Sequence, residues 1–129
     1  MAFFLAGTSA AFFAWFLNRI IVRRWGDAAI IVPVPIIEET LKTVGAVLFS
    51  TSIFYTHLVF GIIEGIWDIK VNIKGLLPGI MSLLTHSFFG LVTTYFHQLT
   101  GYISMAILVS IICHIGWNSF IIRKSRINK

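Results

Sequence analysis

The chain has 129 residues, 57% of them hydrophobic and only 12% charged, where an ordinary soluble domain carries about 25% charged residues. A globule of this size leaves much of its area exposed and could not hide so much apolar surface from water, which argues against a soluble fold and for lipid as the solvent. The net charge of +5 fits anionic headgroups and not nucleic acid, because nine of the ten Lys and Arg lie in three short segments between or after apolar runs.

A helix crosses the hydrocarbon of a bilayer with about 20 apolar residues. Five runs approach this length, and they predict one all-α integral membrane domain over residues 1–129. Its helices fall at 2–22, 29–49, 53–69, 76–96 and 102–122.

The first run has no basic residues before it, and Arg23 and Arg24 follow it. It reads as a retained helix and not as a cleavable signal. Its aromatic residues Phe3, Phe4, Phe12, Phe13 and Phe16 are expected to face lipid.

The second run holds two adjacent carboxylates, Glu38 and Glu39, and Lys42. Ionisable groups in hydrocarbon are costly and face a partner or a wet cavity. Lys42 is within helical reach of both carboxylates, so it can neutralise one and leave the other free. Pro33 and Pro35 interrupt the start of this run and free backbone groups of the preceding turn. Two outcomes stay open: a kink just before Glu38, or a helix that begins at Pro35 after an incoming loop over 28–34.

The third run is short. It places Glu64 between Gly61 and Gly65, small residues at the spacing that lets helices approach closely. Asp68 near its inner end is expected to pair with Lys70 in solvent. The fourth run holds His86. The fifth holds Cys113, His114 and Asn118, the last two sharing one helix face. With one cysteine an internal disulfide is excluded, and Cys113 reads as an inert buried thiol. His57 and His97 fall near outer ends and are expected at the interface. Ser82, Ser87 and Ser119 have no histidine and carboxylate near them in sequence, so no serine nucleophile is expected.

Lys and Arg collect in cytoplasmic segments. Arg19, Arg23 and Arg24, then Lys70 and Lys74, then Arg123, Lys124, Arg126 and Lys129 mark the inner side. Residues 50–57 and 97–102 hold no Lys or Arg. The N-terminus is thus expected outside and the C-terminus in the cytoplasm, with the cell membrane as the expected location. Trp25 and Trp67 near inner ends, and Tyr55, Tyr95 and Tyr102 near outer ends, agree with headgroup anchoring.

Depth ties the polar groups together. From the inner end of each run, at 1.5 Å per residue, Glu38 lies about 14 Å in, Glu64 about 8 Å, His86 about 15 Å and His114 about 12 Å. All four occupy one layer of the cytoplasmic half. Each group also has a plainer reading. Glu38, Glu39 and Lys42 could be an ion pair locking two helices, and Glu64 a packing contact. His86 alone reads first as a neutral histidine bonded to a backbone carbonyl. Asn118 could join helices for about 1 kcal/mol.

Taken in order, the motifs have a familiar form. Glu38-Glu39-Thr40-Leu41-Lys42 resembles the EExxK of the PrsW family of membrane proteases. Phe60-Gly61-Ile62-Ile63-Glu64 is similar to its FxxxE, and His86 opens a stretch similar to its histidine-led helix. His114 to Asn118 resembles the HxxxN of the last core helix. The wider superfamily includes the CAAX prenyl endopeptidases and bacteriocin-immunity proteins, and Lys42 and Glu64 follow the PrsW pattern.

The resemblance implies a core four-helix bundle, runs two to five, carrying a glutamate-dependent peptidase site. In it Glu38 would activate water and Glu39 would be held by Lys42. His114 and Asn118 would orient the water or stabilise the oxyanion, and His86 and Glu64 would complete the site. The substrate would be a membrane-anchored peptide, and no cofactor is implied. A zinc reading stays open, with Glu38, His86 and His114 as ligands, since two histidines and a carboxylate form an ordinary catalytic zinc set. Two other classes also stay open. One is a non-catalytic scaffold subunit bound to other membrane chains, as in a superfamily relative within gamma-secretase. The other is a proton or ion relay through the Glu/His chain.

Overall fold

A computed structural model describes residues 1–71 and 75–127. Lys74 and Lys129, two of the basic residues used for orientation, lie outside the described residues. Among the described residues six helices follow one another: α1 (Ala2–Trp25), α2 (Asp27–Ile31), α3 (Pro33–Leu48), α4 (Ile53–Val71), α5 (Leu76–Thr100) and α6 (Ile103–Ile127). No strand occurs among the described residues.

Among the described residues three helices, α1, α5 and α6, are long and apolar enough to cross a membrane. The other two runs expected to span are different in kind. α3 has 16 residues, and α4 carries Glu64, Asp68 and Lys70 within its 19.

The second run breaks differently from both expectations. Val32 separates α2 from α3, and α3 starts at Pro33. Proline has no N–H to give the preceding turn and its ring is pre-set for a helix start, so a break followed by a new helix satisfies both prolines. Glu38 therefore sits in the second turn of α3, past the kink position and past the helix N-terminus. One carbonyl freed by the break, that of Ile30, accepts a hydrogen bond from Asn118 Nδ2 of α6 at 2.8 Å. In an apolar solvent such a carbonyl must find a partner within the protein.

Small residues set how the helices approach. α1 buries Ala6, Gly7, Ala10, Ala11 and Ala14 and lies against α3 and α4. α4 and α5 approach closely around Gly65 and Gly79. A Cβ on Gly65 would stand 2.7 Å from the Gly79 carbonyl oxygen, and one on Gly61 would stand 2.9 Å from His86 Cβ. α6 packs on α5, α3 and α2.

Polar side chains are gathered inside, beside small buried residues, and many large apolar ones face outward. Glu38, Glu39, Lys42, Thr43, Thr56, His57, His86, Thr93, Ser110 and His114 are buried, while Phe4, Phe12, Phe13 and Phe16 of α1 are exposed. Phe3 is only partly so and packs on Tyr55, with ring centroids 5.4 Å apart. This inversion is the pattern expected where hydrocarbon surrounds the protein, since the apolar side chains meet the solvent.

Candidate functional site

Glu38, Glu39, Lys42, Glu64, His86 and His114 converge, from α3, α4, α5 and α6. Lys42 is the centre. Its ammonium is fully buried, donates to Glu39 Oε1 at 2.5 Å and lies 2.9 Å from Nδ1 of His86. It also sits over the Phe60 ring, 4.6 Å from the centroid. The two hydrogen bonds and the ring face together occupy the surroundings of an ammonium that has three donors and no acceptor.

The proton positions follow. An ammonium can only donate, so His86 Nδ1 accepts from Lys42 and the ring proton sits on Nε2. Nε2 faces Glu64 Oε2 in a very short contact, to which it donates. His86 is thus bonded to two side chains and not to a backbone carbonyl, because the close approach at Gly61 brings α5 within reach of Glu64.

Glu39 accepts from three sides. Besides Lys42, His114 Nδ1 donates to Oε1 at 2.8 Å, and Ser110 Oγ donates to Oε2 at 2.6 Å. With its proton on Nδ1, His114 turns a lone pair at Nε2 toward Glu38, whose Oε2 lies 4.0 Å away. Phe89 stacks on the His114 ring at 4.6 Å between centroids and holds its plane.

Glu38 is left outside this network. It takes one hydrogen bond, from Asn18 Nδ2 of α1 to Oε1 at 2.8 Å, and it lines a cavity of about 390 Å³. Glu64, Asp68, His86, His114 and Asn118 also line that cavity, with apolar walls from Ile30, Val34, Leu77, Met81, Trp117 and Ile121. Asn118 lies one turn from His114 but bonds the Ile30 carbonyl, outside the carboxylate–imidazole cluster.

Several expectations are corrected. His57 is not interfacial. It is fully buried, 3.3 Å from Thr43 Oγ1 and 3.6 Å from Glu39 Oε2, because α5 offers only Gly90 against it: a Cβ there would stand 2.7 Å from His57 Cβ. Asp68 is not simply solvated, since Ser82 Oγ donates to it at 2.7 Å. Cys113 is only partly buried. Asn18, His57 and Ser110 join the site without having been expected there. Two of them carried a signal: Ser110 is four residues before His114, and His57 is seven before Glu64, so each shares a face with a motif residue.

Glu38, His86 and His114 can bring one ligand atom each to within 4.8 Å of one another. His114 suits a metal, since a ligating imidazole gives its other N–H to a carboxylate, here Glu39. His86 does not. Ligation through Nε2 would move the proton to Nδ1, against the Lys42 ammonium. The full three-residue zinc set therefore does not fit while Lys42 is charged.

Compared with protein-family models, with curated proteins and with solved structures, the chain matches none.

Proposed function

We propose that the chain is a glutamate-dependent intramembrane endopeptidase of PrsW type. In this reading α3 and α4 complete a five-span bundle with α1, α5 and α6. The site lies among α3 to α6, the N-terminus is outside and the C-terminus cytoplasmic in the cell membrane. The observation that carries the reading is the pairing of Glu38 Oε2 with the His114 Nε2 lone pair, 4.0 Å apart at the wall of a cavity. One water can bridge atoms at that separation.

The residues divide the work. Glu38 takes a proton from the water, and the hydroxide oxygen bonds the carbonyl carbon of a peptide in the cavity. His114 orients that water through Nε2, its tautomer fixed by Glu39. Asn118, with one N–H on Ile30 and a second on the same nitrogen, donates to the developing oxyanion, a contact worth a few kcal/mol in a dry site. Glu38 then returns its proton to the amine nitrogen as the C–N bond breaks. Lys42, His86 and Glu64 hold the frame. The substrate is a membrane-anchored peptide or protein.

Purified protein incubated with membrane-anchored peptides should cleave some of them at a defined bond, and Glu38→Gln should remove that cleavage. Folded protein that leaves every peptide intact would overturn the reading.

A second reading has its own support. Glu64, His86, Lys42, Glu39 and His114 form an unbroken hydrogen-bonded string, which is also the form of a proton relay. Proton flux into liposomes that depends on Lys42, without peptide cleavage, would favour it.

A further inference from the structure

α1 supplies none of the four motifs and none of the cavity wall, yet it reaches Glu38. Asn18 stands four residues beyond Ala14 on the face that buries Ala6, Ala10 and Ala14. The alanines let α1 lie close to α3, and the first long polar side chain on that face arrives level with Glu38. Its Nδ2 donates to Glu38 Oε1 at 2.8 Å. Its Oδ1 is buried and has no hydrogen-bond partner.

A carboxyl group that accepts a proton and later returns it must be held in both forms. An ionised carboxylate only accepts, and a protonated one also donates. A primary amide serves both, because half a turn about its last bond exchanges the Nδ2 donor for the Oδ1 acceptor. A lysine or arginine would serve only the anion. The bond at Oε1 also leaves Oε2 toward His114, 4.0 Å from its Nε2. We infer that Asn18 is the positioning residue of Glu38: it anchors Oε1, aims Oε2 at the reacting water, and supports the group before and after proton transfer. The role rests on the protease reading above, while the contact stands independently of it.

Both parts can be measured. In purified protein, Asn18→Leu should lower kcat for a cleaved membrane peptide about 10- to 100-fold with KM within about two-fold, and Asn18→Gln, which keeps the amide, should recover much of the loss. A folded Asn18→Leu protein with unchanged kcat would overturn the inference. Should Asn18→Leu fail to fold, the wild type suffices. With 15N-labelled asparagine, the Asn18 side-chain amide resonance should move in Glu38→Gln and not in His97→Gln. A resonance that stays in place overturns the contact whether or not any peptide is cut. If the resonance moves but wild-type protein cuts nothing, the protease reading fails and the positioning role falls with it.

Discussion

Lys42 Nζ lies 2.9 Å from Nδ1 of His86, and this one contact places the proton of that imidazole on the opposite nitrogen. Glu39 does the reverse to His114, drawing the proton to Nδ1. Two histidines whose rings lie 5.4 Å apart therefore hold opposite tautomers. Nitrogen-15 spectra should show a bare Nδ1 with a protonated Nε2 for His86, and the converse for His114. The same tautomer in both would refute the arrangement.

Removing Lys42 strands its partners. Lys42→Met should destabilise the protein by about 3–5 kcal/mol, the cost of breaking a buried pair from one side. Adding Glu39→Gln should recover part of that loss, because an uncompensated carboxylate is then gone. Reversible unfolding in mixed micelles gives the cycle, and a strictly additive double variant would rule out the pairing.

Zinc offers a separate check on the same lysine. With Lys42 replaced by Met, His86 can carry its proton on Nδ1 and ligate through Nε2. Affinity for Zn²⁺ by calorimetry should rise about ten-fold or more over wild type, the scale of outer-shell effects on metal sites. Equal affinities would show that Lys42 does not govern His86.

Helix approach is testable at one glycine. Gly65→Val would press its side chain on the Gly79 backbone, where even a Cβ stands 2.7 Å from the carbonyl oxygen. The expected loss is about 1–3 kcal/mol. Gly116→Ala has no atom within 4 Å to meet and should stay within about 0.5 kcal/mol of wild type. Thermal melts in detergent compare the two, and a neutral Gly65→Val would mean α4 and α5 are not in this contact.

What the sequence disclosed divides by range. Helical spacing put Lys42 in reach of both glutamates, and depth counting put Glu38, Glu64, His86 and His114 in one layer. Both are local quantities. Which carboxylate Lys42 would choose was not local: Glu39 is taken because Ser110 and His114 of α6 approach it from the other side. His57 was misplaced for a related reason. Distance along α4 says how deep a residue is, but not that Gly90 of α5 leaves room to bury an imidazole there. Asn18 needed the docking of α1 on α3, which no motif spells out. The break at Val32 fell between two local options because both prolines act on the same turn.

Glu38, Glu39 and Lys42 sit on a helix of 16 residues, and this bears on how the chain is made. Released alone into lipid, α3 carries an internal partner for Glu39 but none for Glu38. Asn18 is synthesised before it and can serve at once. His114 follows Glu39 by 75 positions, so that bond waits until α6 has been made. A chain halted before α6 would hold Glu39 by Lys42 alone, without the two further hydrogen bonds that Ser110 and His114 donate to it.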